Sequence, residues 1–187
     1  SHQVELATEF LQGKSQAVIE QLVTEMEVAS NTLEFEKAAV RRDQIQSLKR
    51  VQEQQWVSGE VEQLDVVGFV YEHGVASIHM LFIRQGRVLG SRNYFPKVPK
   101  NSSEDEVLSS FLSQFYLSGQ NGRAIPREIL LTDDFADREI FEDLFSEHSG
   151  YKTKLKIVMR GERLRFIKLA KTNANVALST HLSQQKS

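Results

Sequence analysis

Cysteine is absent from all 187 residues, which excludes disulfides and thiolate metal sites at once. No apolar run approaches the roughly 20 residues that a membrane-spanning helix needs, and Ser1-His2-Gln3 lacks the basic-then-apolar order of a secretion signal. A soluble protein is expected, with no membrane partner. A glycine-rich phosphate loop is missing too, and Gly86, Gly90 and Gly161 read as turn or strand glycines. The histidines, His2, His73, His79, His148 and His181, show no paired metal spacing. His79, inside a strand pattern, reads as a hydrogen-bonded structural residue. No cofactor and no metal ligand set is expected from this composition, and neither a repeat nor a low-complexity stretch is present.

A large excess of one charge is also lacking, since the net charge is −2. The distribution is uneven, however: residues 1–62 hold 6 Lys and Arg against 11 Asp and Glu, while residues 151–171 hold eight basic residues against Glu162 alone. Those eight are Lys152, Lys154, Lys156, Arg160, Arg163, Arg165, Lys168 and Lys171. With 40% hydrophobic residues, a chain of this size is expected to bury one core and a small satellite module.

What is present begins with a helical hairpin. Val18, Leu22, Met26 and Ala29, then Phe35, Ala38, Ala39, Ile45 and Leu48, keep helical spacing on both sides of the polar break Ser30-Asn31-Thr32. Ala29, Ala38 and Ala39 let two antiparallel backbones approach. Met26 and Phe35, near the turn, are expected to need cover that a lone hairpin does not supply, and a partner surface is the natural source. Gly13 is expected to end a short preceding helix, with Ser15 opening the first hairpin helix.

The same residues carry a resemblance. Leu22, Met26, Leu33-Glu34-Phe35-Glu36, Ala38, Ala39, Arg42, Asp43 and Ile45 resemble the UVR motif without a gap. From about Val57 onward, Leu81 to Gly86, Tyr94 to Pro99 and Lys168 to Ala174 are similar to one family, the UvrC excinucleases, which are the incision subunits of bacterial nucleotide excision repair. The resemblance implies a cytoplasmic protein of DNA repair and the SOS response. It also implies a GIY-YIG nuclease domain before this region, and a competent ribonuclease H-like domain with helix-hairpin-helix motifs after it. Neither signature occurs in the chain, so the expectation is a central fragment.

Beyond residue 55 the pattern changes. Trp56 to Gln63 reads as a linker or entry strand, and Asp65 to Glu72 is apolar enough for a strand covered on both faces. The turn signals His73-Gly74 and Gln85-Gly86 bracket a second strand, making a meander of three that ends near Phe95. Ser103 and Glu106 form a capping box opening a helix with Val107, Leu108, Phe111, Leu112 and Phe115 on its core face. A strand over residues 128–132, a helix carrying Ile140, Phe141, Leu144 and Phe145 and ending at Gly150, a strand over 154–158 and a long last helix follow. The expected fold is α+β: an N-terminal antiparallel helical hairpin over 1–55, a linker over 56–62, and a ribonuclease H-like mixed five-stranded sheet with helices over 63–187.

A nuclease of that fold needs carboxylates converging on two metal ions about 4 Å apart, one from the middle of the first strand and another from the end of the fourth. The middle of the first strand is Val67-Gly68-Phe69. Asp65 reads as a solvated strand-end carboxylate, Asp133 and Asp134 as caps of the next helix, and Glu104 and Glu106 as capping and helix-dipole residues. On the last helix the core-side polar residue is Asn173, not a carboxylate. No catalytic residue is assigned, and the domain is expected to be non-catalytic.

Three readings of function follow. In the first, implied by the resemblance, the hairpin docks onto the C-terminal UVR hairpin of UvrB, another component of the excinuclease, through Leu33, Glu34, Phe35, Glu36, Ala38, Ala39, Arg42 and Asp43, and the sheet domain is a scaffold. The second is a non-specific platform for duplex DNA through Lys154, Lys156, Arg160, Arg163, Arg165, Lys168 and Lys171, with Lys154 and Lys156 on one face of a strand. The third is a metal-dependent nuclease. Weak self-association through the hairpin is a further expectation.

Overall fold

The computed structural model describes residues 2–54, 63–84, 87–118 and 124–186, with side chains omitted for 2–13, 53, 54 and 87. The expected linker therefore lies outside the described residues, as does the Gln85-Gly86 turn. Helix α1 (His2–Asn31) and helix α2 (Phe35–Gln54) come first. They are followed by β1 (Gln63–Glu72), β2 (Val75–Arg84), β3 (Arg87–Tyr94), α3 (Glu104–Leu117), β4 (Glu128–Leu131), α4 (Arg138–Ser149), β5 (Lys154–Ile157) and α5 (Leu164–Lys186). Helix α1 runs through Gly13 without interruption, correcting the expectation of two helices there. A single glycine costs a helix interior only about 1 kcal/mol relative to alanine.

The molecule divides into two compact units, one of residues 1–56 with Val176–Ser187, the other of residues 57–175. Helix α5 is thus shared out: its first half belongs with the sheet, its second half with the hairpin.

In the sheet unit the strand order is β3-β2-β1-β4-β5, with the meander antiparallel and β4 and β5 parallel to β1. This is the ribonuclease H-like α+β arrangement. Alternation sorts the strands into two faces. Val67, Phe69, Ile78, Met80, Ile129, Leu131 and Leu155 meet Leu108, Phe111, Leu112 and Tyr116 of α3 and Phe145 of α4 in one core. On the opposite face lies α5, so close that a Cβ on Gly68 would stand 2.3 Å from the Ala170 carbonyl oxygen. The Ser77 hydroxyl donates to the Ala174 carbonyl at 2.8 Å across that face, Asn93 donates to Ser77 at 3.1 Å, and His79 Nδ1 meets Asn93 at 3.0 Å. His79 is buried and structural, as its strand position suggested.

Local signals hold where they are self-contained. Ser103 accepts from the Glu106 amide and the Glu106 carboxylate reaches back to the Ser103 amide, completing the capping box. Gly150 ends α4 in the left-handed conformation at φ 84°. In α4, Phe141 and Phe145 join the core whereas Ile140 and Leu144 are exposed, so only part of the expected apolar face is used.

In the hairpin unit, Ile19, Met26, Ala29, Ala38 and Ile45 are buried around Val176 of α5. The expectation that Met26 awaits a partner is corrected here. Met26 is fully buried, and a residue from the last helix of the same chain helps cover it.

Candidate functional site

The carboxylates decide what chemistry the sheet can support. Asp65 is not a solvated strand-end group: it is 1% exposed, facing α3. A buried carboxylate needs partners, and Asp65 has them in the Tyr116 hydroxyl at 2.6 Å and Arg84 Nη1 at 2.9 Å. Neither Arg84 nor Tyr116 figures among the expected site residues. Cross-strand register supplies the arginine, since Asp65 lies opposite Phe82 near the far end of β2.

Asp133 and Asp134 do not cap the following helix either. The N-cap of α4 is Asp137, without a side-chain cap bond. Asp134 accepts from the Phe135 amide at 2.8 Å and from Arg138 Nε at 2.9 Å. Asp133 accepts from the Thr132 hydroxyl at 2.7 Å and from Lys171 Nζ at 3.0 Å. The same ammonium donates to the Phe69 carbonyl at 2.7 Å. A lysine cation therefore bridges the middle of β1 and the carboxyl end of β4, the two places from which a two-metal site of this fold draws its ligands. Asp65 pairs in register with Ile129, four residues before Asp133, a separation of roughly 13 Å along the strand direction. That is far from the joint reach a two-metal clamp requires. Asn173 is fully buried on α5. Among the described residues there is no group of three or more His, Asp or Glu side chains that could hold a metal ion.

On the hairpin, Thr32 and Leu33 form the turn, with Leu33 in the left-handed region at φ 63°. Such a conformation is uncommon for leucine, and it leaves the side chain 71% exposed at the tip. Glu34, Glu36 and Asp43 are exposed, while Phe35, Ala39 and Arg42 are half-buried. Ala38 is fully buried inside the hairpin, so its role is internal packing, and the expectation of partner contact is corrected for this residue. Arg41 Nε pairs with Glu25 at 2.7 Å between the two helices. Beside that pair, Val18, Leu22 and Leu48 line a shallow apolar groove. Val18, Val28 and Val40 are exposed apolar residues that motif matching does not single out.

The basic segment divides into engaged and unengaged cations. In the register of β5 on β4, Lys154 lies opposite Glu128 and Lys156 opposite Leu130. Lys156 Nζ donates to one Glu128 oxygen at 3.0 Å and Arg163 pairs with the other. Burial alone would raise the Glu128 pKa, but the hydrogen bond from Lys156 and the charges of Arg163 and Lys156 outweigh it, so the group lies below the ordinary glutamate value. Arg165 stands over the Phe166 ring, 5.1 Å from its centroid, and Lys171 is held by Asp133. Lys152, Lys154, Arg160 and Lys168 are exposed and carry no ion pair among the described residues.

A helical hairpin and an α+β unit of ribonuclease H-like strand order, with an ammonium between the middle of β1 and the end of β4, define a protein of the UVR and ribonuclease H-like class. The chain belongs to the family of the UvrC ribonuclease H-like domain, which matches residues 63–181, and residues 16–51 match the UvrB/uvrC motif. It is 51% identical over 183 residues to UvrABC system protein C of Yersinia pseudotuberculosis serotype O:1b, covering 98% of this chain and 30% of that protein. The corresponding protein of Serratia proteamaculans is 50% identical over 183 residues, and that of Escherichia coli O1:K1 is 49% identical over 185. The chain spans 30% of the length of these curated relatives.

Proposed function

We propose that this chain is the central region of the incision subunit of a bacterial, cytoplasmic excision-repair excinuclease, and that its hairpin docks that protein onto the similar C-terminal hairpin of UvrB. The single observation that carries the docking is Leu33, exposed at the hairpin tip within the matched motif, with half-buried Phe35 beside it. Exposed apolar anchors ringed by charge, here Glu34, Glu36 and Asp43, are what a helical partner recognises. Phe35→Ala is expected to weaken binding to the UvrB hairpin by about 2 kcal/mol or more, measured by calorimetry. An unchanged affinity would retire the docking role. The same hairpin face would support weak self-association of this chain.

The sheet unit acts in this reading as a non-catalytic scaffold. A second reading, contact with DNA through Lys154, Lys156, Arg160, Arg163, Arg165, Lys168 and Lys171, is favoured by the cations without an ion pair among the described residues, Lys154, Arg160 and Lys168. Salt-dependent titration of duplex DNA tests it.

A further inference from the structure

The unengaged cations are not scattered. Strand β5 is an edge of the sheet, and between it, the loop before α5 and the start of α4 opens a groove of about 1000 Å³. Lys152, Lys154 and Arg160 line it, exposed and without ion pairs among the described residues, whereas Lys156 and Arg163, also in its lining, are both held by Glu128. Two of the groove's acids are occupied as well: Asp134 pairs with Arg138, and Glu142 accepts from the Leu155 amide at 2.9 Å. Glu162 is the remaining acid.

We propose that this groove seats a DNA sugar-phosphate backbone on Lys152, Lys154 and Arg160, and that Glu128 withholds Lys156 and Arg163 from it by acting as an internal competitor for phosphate. The inference rests on the second reading above and deepens it. Lys154 opens β5, Lys152 lies two residues before it and Arg160 three residues after its end, so the groove draws its unengaged cations from before, at and after the edge strand, a spread that suits a linear polyanion better than a single carboxylate. An exposed edge strand bearing lysines also repels strand pairing by another protein. Met159, 80% exposed beside Arg160, adds an apolar side chain of the type that minor-groove binders insert between base steps. Glu128 stays anionic across the physiological range, since its partners hold its pKa below the ordinary value.

The test is fluorescence anisotropy of a labelled DNA duplex with the whole chain across a sodium chloride series, with thermal melts of each variant. Three phosphate contacts give a log-log salt slope of about −2.7, or roughly a 40-fold loss of affinity between 50 and 200 mM. The combined Lys152→Ala, Lys154→Ala and Arg160→Ala variant is expected to lose at least about tenfold and to flatten the slope towards zero. Glu128→Gln is expected to bind more tightly, with a slope steepening to about −4.5 as two cations are released. Glu162→Gln, which removes an equal charge from the groove lining itself without freeing a partner, is expected to leave the slope unchanged. Should Glu128→Gln melt early, the pair Lys156→Ala and Arg163→Ala decides instead, being expected to leave affinity within about twofold.

A triple variant that loses binding while Glu128→Gln keeps the original slope would overturn the competitor role alone. A triple variant that binds as before would overturn the groove and the second reading together. Displacement of the duplex by polyglutamate of equal charge at equal concentration would assign the groove to an acidic protein instead.

Discussion

Gly68 shows how one missing side chain sets the distance between two layers. Its absent Cβ would meet the Ala170 carbonyl oxygen at 2.3 Å and the Ala170 Cβ at 2.9 Å, so α5 lies on β1 only because residue 68 is glycine. Gly68→Ala is expected to destabilise the sheet unit by about 1–3 kcal/mol through overpacking, read as a lower midpoint in a thermal melt. Gly90→Ala, where nothing stands within 4 Å of the added carbon, is the control and should melt as the unaltered chain does. The same close approach leaves no room for a carboxylate at the middle of β1, and Lys171 already neutralises Asp133 near the strand end. Incubated with Mg²⁺ or Mn²⁺, the chain is therefore expected to leave labelled duplex DNA uncut. Metal-dependent nicking that Asp133→Asn abolishes would show that the ammonium does not close the site.

At the level of elements, stability is concentrated where the chain satisfies its own ends. The α3 capping box ties Ser103 and Glu106 reciprocally, with Glu104 and Asp105 adding favourable charge to the first turn. Asp105 also accepts from the Ala136 amide at 3.0 Å, linking the start of α3 to the loop before α4. Ser103→Ala is expected to cost about 1 kcal/mol, measured by urea unfolding with an unchanged slope. A loss under about 0.3 kcal/mol would mean that the link through Asp105 holds the helix start without the cap. The hairpin turn contrasts with this. Its left-handed Leu33 holds backbone strain while exposing a side chain, an arrangement intelligible when that side chain meets a partner.

On the scale of the whole molecule, the second half of α5 returns to the hairpin unit, joining the last helix to the first two. Val176 is 5% exposed among Ile19, Met26, Ala29, Ala38 and Ile45. Val176→Ala is expected to cost about 2 kcal/mol of local stability from lost burial and the cavity left behind. Hydrogen exchange should then rise at the amides of Met26 and Ile45 while β1 and β2 keep their protection. Equal loss in β1 would mean that the two units open as one.

The residues themselves determined the element order, the α3 cap, the Gly150 stop and the hairpin motif, because periodicity, capping and turn chemistry each operate within a few neighbouring positions. Burial partners do not. That Asp65 is enclosed by Arg84 and Tyr116, that Asp133 meets Lys171 across 38 positions, and that Glu128 gathers Lys156 and Arg163 across 28 and 35 follow from strand register together with the packing of α3, α5 and the loop before α5 on the sheet. Helix α5 likewise reads as one amphipathic stripe, and nothing along that stripe marks where it leaves the sheet for the hairpin. Charge counted along the chain treats every lysine and arginine of residues 151–171 alike; only the tertiary structure, by bringing carboxylates from other strands beside some of them, decides which cations remain for a partner.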